Sequence, residues 1–309
     1  MKVIYGKSAL EREIIRDSAL TVGTFDGVHK GHVVLLERLI AAARQKNTIS
    51  IVVTFDPHPQ MVLGARGKTE VLTTTEEKLE LLNSLPLDTV VTLEFNEQLA
   101  SLEAETFIDR ILIDSLHMKH FVMGYDHSFG RGRRGNYELV RALAGKYGYS
   151  CEVVGPVYNG GGPVKSSRIR SELRAGNYNS AVEMLGYHYI LTGEIVKGTG
   201  MGKKLGYPTI NLNLPPGKLL PKQGVYAARV NFDGGDVPGM AYIGARLTFG
   251  DDTIAVEINL FDFDRPVLGK KVKIMLEQYI RAPQKFESAE RLIEAMANDE
   301  KKVKDILHM

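Results

Sequence analysis

From Ser18 to about Tyr187, continuous apolar runs alternate with segments whose apolar residues recur every third or fourth position. ALTVGTF, ISIVVTF, DTVVTLEF, HFVMGY and CEVVGPV read as strands, short and rich in β-branched and aromatic residues. Between them HVVLLERLIAAARQ, EEKLELLNSL, AETFIDRILIDSL and YELVRALAGKYG carry helical spacing, and SSRIRSELRAG and NSAVEMLGY add two short helices. Such alternation predicts a parallel sheet with helices on both faces and any ligand at the carboxyl ends of the strands.

The pattern changes after Tyr189. YILTGEIV, GVYAARVNF, GMAYIGA, TIAVEINLFDF and KKVKIMLEQYI are short strands separated by Gly, Pro and Asp turns, and only SAERLIEAMANDEKKVKDIL is a clear helix. Antiparallel strands followed by one terminal helix predict a small barrel. The chain is therefore read as α/β with a second module: a Rossmann-like sheet domain over residues 1–185, and a small antiparallel β-barrel with a terminal helix over residues 186–309.

Composition narrows the function classes. With 309 residues, 44% of them hydrophobic and 25% charged, the chain can bury two cores and is unlike a disordered one. A net charge of +2 gives no bulk argument for nucleic acid. Basic residues cluster locally instead, at Arg131–Arg134, Lys165–Arg170 and Lys197–Lys204, and suit a small anion such as a nucleotide. The lone Cys151 excludes an intrachain disulfide and a cysteine-rich metal site, and its context SCEVVGPV marks it as structural. No apolar run approaches the roughly 18 residues of a membrane span. Charged sequence follows Met1–Gly6 at once, so a soluble cytoplasmic protein without a signal peptide is expected. Protein partners and self-association are left open.

In the first half, GTFDGVHKGH begins at Gly23, where a strand hands over to the first long helix. Gly23 and Gly27 permit a tight turn and close backbone approach, and the helix start offers unpaired N–H groups to phosphate. His29 and His32, three apart, share one side of the first helical turn and could donate hydrogen bonds to phosphate oxygens. Taken alone, an H-x-x-H of this kind reads as a pair of solvated helix-start residues; zinc is weaker still because no further Cys or His lies at ligand spacing. TFDPHP, with Asp56 and His58, GYDHSFGRGRRG, with Asp126, and KSSRIR stand at other strand ends or helix starts. Ser166 is either a phosphate contact or an ordinary helix cap. Together these segments indicate a nucleotide pocket.

In the second half, GEIVKGTGMGKKLGYPTINL has glycines at 198, 200, 202 and 206 but fits no dinucleotide fingerprint, and Lys203 is followed by Lys204 where a Walker loop needs Ser or Thr. A flexible hairpin loop is the plain alternative. Thr209 and Asn211, two apart, face the same side of a strand and offer a hydroxyl and an amide oxygen to a Mg²⁺ already bound to ATP. Glu257 in AVEINLFDF is a candidate base, although those residues alone favour an outward-facing strand glutamate.

GTFDGVHKGH, TFDPHP, GYDHSFG and KSSRIR, in this order, resemble the adenylyltransferase module of bacterial bifunctional riboflavin kinase/FAD synthetases over nearly all of residues 18–185. The resemblance implies that His29 and His32 contact the ATP phosphates, with Gly23, Phe25, Asp26 and Gly31 beside the nucleotide. It further implies that Ser166, Ser167 and Arg170 hold the departing pyrophosphate, that Asp126 lies near the nucleotide or flavin phosphate, and that Asp56 and His58 adjoin the flavin. The reaction implied is attack of the FMN phosphate on the α-phosphorus of ATP. Tyr125 stands where an acidic residue is more usual and His127 where Phe is common, while Lys165 and Ser167 replace Ser and Thr.

The segment from Gly193, followed by GVYAARV, IGARLTFG, VEINLFDF and IRAPQKF, is similar to the riboflavin kinase module across residues 186–309. That likeness implies a six-stranded barrel, Thr209 and Asn211 as magnesium ligands and Glu257 as general base on the ribityl 5′-hydroxyl of riboflavin. Gly198 through Lys204 become a flap over ATP, with Gly198, Gly200, Gly202, Lys203 and Pro208 at the nucleotide and Arg281 at the flavin. Departures are Asn259 for a frequent His, Tyr242 for Asn, Leu247 for Pro and Pro283 for an acidic residue. A single-function nucleotidyltransferase and a flavin sensor that has lost its chemistry are the alternatives. The intact PTIN segment and Glu257 argue against the first, and the presence of His29, His32, Thr209, Asn211 and Glu257 argues against the second.

Overall fold

Six parallel strands make the first sheet: β1 (Lys2–Tyr5), β2 (Ser18–Val22), β3 (Ile49–Asp56), β4 (Thr89–Glu94), β5 (Met118–Gly124) and β6 (Ser150–Val154), in the spatial order β1-β4-β3-β2-β5-β6. This is a computed structural model that describes residues 1–64, 70–232, 235–246 and 251–309; Leu247 lies outside the described residues. Those residues group into two units, Met1–Ser166 and Ser167–Met309.

The strands of the first unit read as unbroken apolar runs because both faces of the sheet are covered. Period-two alternation divides each strand between two cores. Ala19, Val52, Val90 and Val122 pack against Leu35, Leu36 and Leu39 of helix α1 (Lys30–Gln45). Their neighbours Leu20, Val22, Ile51, Val53 and Phe121 face Phe107, Ile108 and Leu112 on the other side. Each fully buried side chain, such as Leu36, contributes about 1.5–3 kcal/mol. The segment AETFIDRILIDSL forms one α-turn, Ala104–Phe107, that continues as a π-helical stretch over Ile108–Ser115. Two further helices, α2 (Thr75–Asn83) and α3 (Tyr137–Tyr147), follow the expected spacing. The edge strand β1 is too short to carry a periodic signal, yet it pairs in register with β4, Val3 beside Val90.

Strand order reverses at β2. The chain proceeds from β2 to β3 and β4 on one side, then crosses to β5 and β6 on the other. The carboxyl ends of β2 and β5 therefore flank the topological switch point, where open α/β sheets bind ligands.

In the second unit, α4 (Ser166–Ala175, from Ser167 on) and α5 (Tyr178–Leu185) precede a closed barrel. Lys222 N–H donates to the Leu173 carbonyl at 2.8 Å, and the Tyr178 hydroxyl donates to the Leu276 carbonyl. These bonds tie both short helices to the barrel, so the division by contact falls at Ser166/Ser167, ahead of the change in periodicity. The barrel strands are β7 (Ile190–Val196), β8 (Thr209–Asn213), β9 (Gly224–Phe232), β10 (Gly235–Arg246), β11 (Asp251–Leu260) and β12 (Lys271–Arg281), closing in the order β8-β11-β10-β9-β12-β7. Tyr226, Ala228, Val230, Ile258 and Ile274 are fully buried. The alternate residues Val225, Ala227 and Met240 instead pack against Val303 and Leu307 of the terminal helix α6 (Ala289–Leu307). The terminal helix thus covers part of the barrel's outer face.

Candidate functional sites

At the switch point of the first unit, β2 ends at Val22, three residues earlier than its apolar run suggests. Phe25 and Val28 adopt left-handed backbone angles, φ 49° and 35°, and Gly27 has φ 83°. Holding non-glycine residues there costs about 1–2 kcal/mol each. The surrounding contacts enforce the turn: the Asp26 carboxylate accepts the N–H groups of Leu72 (2.8 Å) and Thr73 (3.0 Å), and Gly27 N–H donates to the Thr73 hydroxyl at 3.0 Å. Asp26 is thus a buried structural carboxylate, and the Ser166 hydroxyl donates to its backbone carbonyl at 2.9 Å.

The turn delivers His29 to the N-cap of α1, where its Nδ1 accepts the His32 N–H at 3.3 Å. With Nδ1 accepting, the neutral ring carries its proton on Nε2. The spacing of three stacks the two imidazoles, with ring centres 3.6 Å apart and planes within 16°, and Phe25 meets His32 edge-on at 5.2 Å. A Cβ on Gly31 would lie 3.2 Å from the His29 ring. Burial, then His29, His127 and Lys78, hold the His32 imidazole well below its usual range, so it is neutral at pH 7. His127, after β5, is likewise pushed down by burial to about 4. Among the described residues no cluster of His, Cys, Asp and Glu could hold a metal ion.

The remaining residues of this site are distributed as follows. Asp126 after β5 is ion-paired with Lys165 at 2.7 Å, and the same ammonium lies 5.3 Å from the centre of the Tyr125 ring. Tyr125 and Lys165, two departures from the family pattern, are therefore partners of one another. Asp56 accepts the Thr75 hydroxyl at 2.7 Å, and His58 caps a short helix over Pro59–Leu63 by accepting the Gln60 N–H at 3.2 Å. Ser167 and Arg170 follow on α4, in the second unit. Sequence reasoning missed Lys78, which lies on the buried side of α2 with Leu79 and Leu82. A lysine at i and a leucine at i+4 on a core-facing stripe was the available signal.

On the barrel, one row of side chains crosses four strands on the outer face. Val225 pairs with Tyr242, Tyr242 with Glu257, and Glu257 with Asn211; alongside, Ala227 pairs with Met240, Met240 with Asn259, and Asn259 with Thr209. Directly opposed residues share a face, so Thr209, Asn211 and Glu257 come together. Backbone of the glycine loop lies directly on this row: a Cβ on Gly198 would sit 2.1 Å from Asn211 Nδ2, and one on Gly202 would sit 3.1 Å from Thr209 Oγ1. Gly200 has φ 73°, and Met201–Lys204 forms a single helical turn that leaves Lys203 and Lys204 exposed. Asn259 donates from Nδ2 to the Pro208 carbonyl at 2.8 Å, which fixes the residue before Thr209.

Thr199, Gly202, Thr209, Tyr242, Glu257 and Arg281 line a pocket in this face, closed by Phe286, Leu292 and Met296. Arg281 is held by buried Asp299, with Nε 2.8 Å and Nη2 2.7 Å from Oδ2, and its Nη1 donates to the Ala282 carbonyl at 3.1 Å. The Tyr242 phenol is raised, chiefly by burial and then by the Glu257 charge, against the opposing effect of Arg281. Pro283 is half-buried next to this segment. Asp299 and the apolar lid from α6 were not foreseen in the sequence; the clue was an acidic residue inside an otherwise amphipathic terminal helix.

A nucleotidyltransferase-type sheet and a closed barrel with a polar outer row define a two-module transferase. The comparisons make this specific: the FAD synthetase family model matches residues 11–168 and the riboflavin kinase family model residues 185–307. The bifunctional riboflavin kinase/FMN adenylyltransferase of Listeria monocytogenes is 32% identical over 305 residues, covering 97% of this chain and 96% of that protein. The Escherichia coli enzyme of the same name is 32% identical over 301 residues, with 97% and 96% covered. The chain belongs to this family, and is a bifunctional enzyme with an N-terminal FAD synthetase domain and a C-terminal riboflavin kinase domain. Its substrates are riboflavin, FMN and ATP. A crystal structure described as a macrolide-efflux protein from Streptococcus pneumoniae has the same fold, with TM-score 0.86, 28% identity, and coverage of 98% of this chain and 99% of that one. Among the described residues, no helix is long and apolar enough to cross a membrane.

Proposed function

We propose that the two activities run at two separate sites: adenylyl transfer at the β2/β5 switch point, within residues 1–185, and riboflavin phosphorylation at the outer barrel row, within residues 186–309. The observation that carries the kinase assignment is the register that sets Glu257 directly opposite Asn211 and two pairs from Thr209, on the same face of the sheet.

In the kinase reaction the ribityl 5′-hydroxyl attacks the γ-phosphorus of ATP, its proton passes to Glu257, and ADP leaves. A carboxylate in a partly apolar pocket is suited to that general-base role. Thr209 Oγ1 and Asn211 Oδ1 are hard oxygen ligands on one strand face, and two protein ligands suffice for a Mg²⁺ carried by nucleotide phosphates. When bound, Mg²⁺ supplies charge neutralisation at those phosphates. The glycine loop covers the two ligands closely enough to contribute backbone contacts to the nucleotide, with Gly198, Gly200, Gly202, Lys203 and Pro208 in that role. Arg281, fixed by Asp299, shapes the flavin end of the pocket.

In the adenylyl transfer an FMN phosphate oxygen attacks the α-phosphorus of ATP and pyrophosphate leaves. His32, held neutral at pH 7 chiefly by burial, and His29 donate hydrogen bonds to the phosphates as charge builds up. Gly23, Phe25 and Gly31 shape the turn at the nucleotide, while Asp126, with Lys165, and Asp56 and His58 adjoin the flavin side. Ser167 and Arg170 are assigned to the pyrophosphate from their place in KSSRIR alone. Dependence on ATP supports a cytoplasmic setting.

Incubation of the purified protein with riboflavin, ATP and Mg²⁺, followed by chromatographic separation of the flavins, tests the reading. FMN should appear as a transient and FAD as the product, and a Glu257→Gln variant supplied with FMN should still make FAD. Loss of both activities in that folded variant would overturn the separation of sites.

A further inference from the structure

Lys78 of α2 is only 5% exposed, yet it carries an ammonium. Its Nζ donates to three neutral oxygens: the Thr54 hydroxyl at 3.0 Å, the Phe55 carbonyl at 3.2 Å and the Thr24 carbonyl at 3.3 Å. The Thr54 hydroxyl in turn donates to the Thr24 carbonyl at 3.2 Å. The nearest carboxylates are engaged elsewhere. Asp26 accepts from Leu72 and Thr73, Asp56 accepts from Thr75, and neighbouring Glu77 closes the capping box with Thr74.

A buried cation without a direct carboxylate partner is expensive unless something else supplies negative charge. One acceptor, the Thr24 carbonyl, belongs to the Gly23–Gly27 turn itself, and the other two, from Thr54 and Phe55, lie at the carboxyl end of β3. We propose that Lys78 is a positioning residue for adenylyl transfer: its ammonium fixes the carbonyls of Thr24 and Phe55, and so the turn that faces ATP, and places a desolvated positive charge behind that turn for the triphosphate. This rests on the assignment of adenylyl transfer to the β2/β5 switch point.

The charge state of this lysine makes the role measurable. Burial lowers its ammonium to about 8, against the raising effect of Asp26 and Asp56, and its charge in turn helps lower His32 on α1. The charged form is present below about pH 8 and is lost as pH rises through that value. A bound polyanion favours the ammonium, so ATP binding near pH 8 takes up a proton.

The test measures kcat/KM for ATP in FAD formation from supplied FMN, from pH 6.5 to 9.5, with riboflavin phosphorylation as an internal control for a folded chain. Wild-type kcat/KM should fall above pH 8, because that parameter reports the free enzyme. Lys78→Met should lose about tenfold or more at pH 7 and show no fall above pH 8. Thr54→Val, which removes one acceptor, should move the alkaline fall to lower pH. His32→Asn separates the two readings. If His32→Asn leaves FAD formation intact, the site assignment fails. If it abolishes FAD formation while Lys78→Met retains wild-type kcat/KM and the wild-type pH profile, the Lys78 proposal alone is overturned. Should Lys78→Met fail to fold, a wild-type profile flat to pH 9.5 overturns it equally.

Discussion

Asn211 on β8 stands directly opposite Glu257 on β11, with Tyr242 on β10 opposite the far side of Glu257. A candidate magnesium ligand and a candidate base are thereby fixed to one another by sheet hydrogen bonding, not by loop conformation. Cross-strand neighbours of this kind have Cβ atoms about 4.5–5.5 Å apart.

Glu257→Gln keeps the volume and removes the base. FMN formation should fall by about 10²–10⁴-fold in kcat, while KM for riboflavin changes little. Steady-state kinetics with flavin chromatography reads this, and an undiminished kcat would remove Glu257 from the chemistry.

Gly198→Ala places a methyl group where only 2.1 Å separates the Cβ position from Asn211 Nδ2. The glycine loop has to lift from the row. The expected result is a roughly tenfold or larger rise in KM for Mg²⁺·ATP in the kinase reaction, with FAD formation from FMN unchanged.

His127 is held neutral by burial to about pH 4, whereas in the unfolded chain it titrates near 6.5. Because the unfolded state binds more protons between those values, stability is present above pH 6.5 and is lost as pH falls toward 4. The loss from this one group is on the order of 2–3 kcal/mol. His127→Phe should abolish that share, so urea unfolding followed by circular dichroism at pH 7 and pH 4.5 should differ less for the variant than for the wild type.

Asp299→Ala leaves the Arg281 guanidinium with the Ala282 carbonyl and the face of the Phe286 ring, 5.7 Å away, but no carboxylate among the described ion pairs. Breaking a largely buried pair in this way should cost about 2–3 kcal/mol, at the low end for such pairs because Arg281 retains some contact with water. A thermal melt of the barrel unit should shift down by several degrees, and riboflavin KM should rise along with it.

Much of this architecture is legible in the residue pattern, and the exceptions have physical causes. The spacing of His29 and His32 foretold that they would share one side of the first helical turn, and the alternation of Thr209 and Asn211 foretold a shared face. The face of Glu257 was undecidable from AVEINLFDF, because alternation says which residues go together but not which side is covered. The terminal helix, some thirty residues further on in the chain, decides that. β2 stopped short of Phe25 because the contacts of Asp26 and Gly27 with Thr73 hold a turn in which Phe25 and Val28 take left-handed angles that their own side chains disfavour. Lys78 was passed over because a lysine after two glutamates reads as solvated surface. Its burial follows only once α2 packs its Leu79–Leu82 stripe onto the sheet. The short helices α4 and α5 joined the barrel through Lys222 and Tyr178, contacts too distant in sequence to be read from periodicity.

The kinase row lies on the outside of a barrel whose lumen is filled with apolar side chains. Opening and closing over the nucleotide then need involve only the glycine loop and the terminal helix, with no strand parting from its neighbour. Amide hydrogens in the loop should exchange with solvent many orders of magnitude faster than those of β9 to β11, which are exposed only in rare global openings. Pocket shape and scaffold stability can accordingly drift independently: the outward residues can be recast for a different flavin tail or nucleotide while the lumen keeps the same packing.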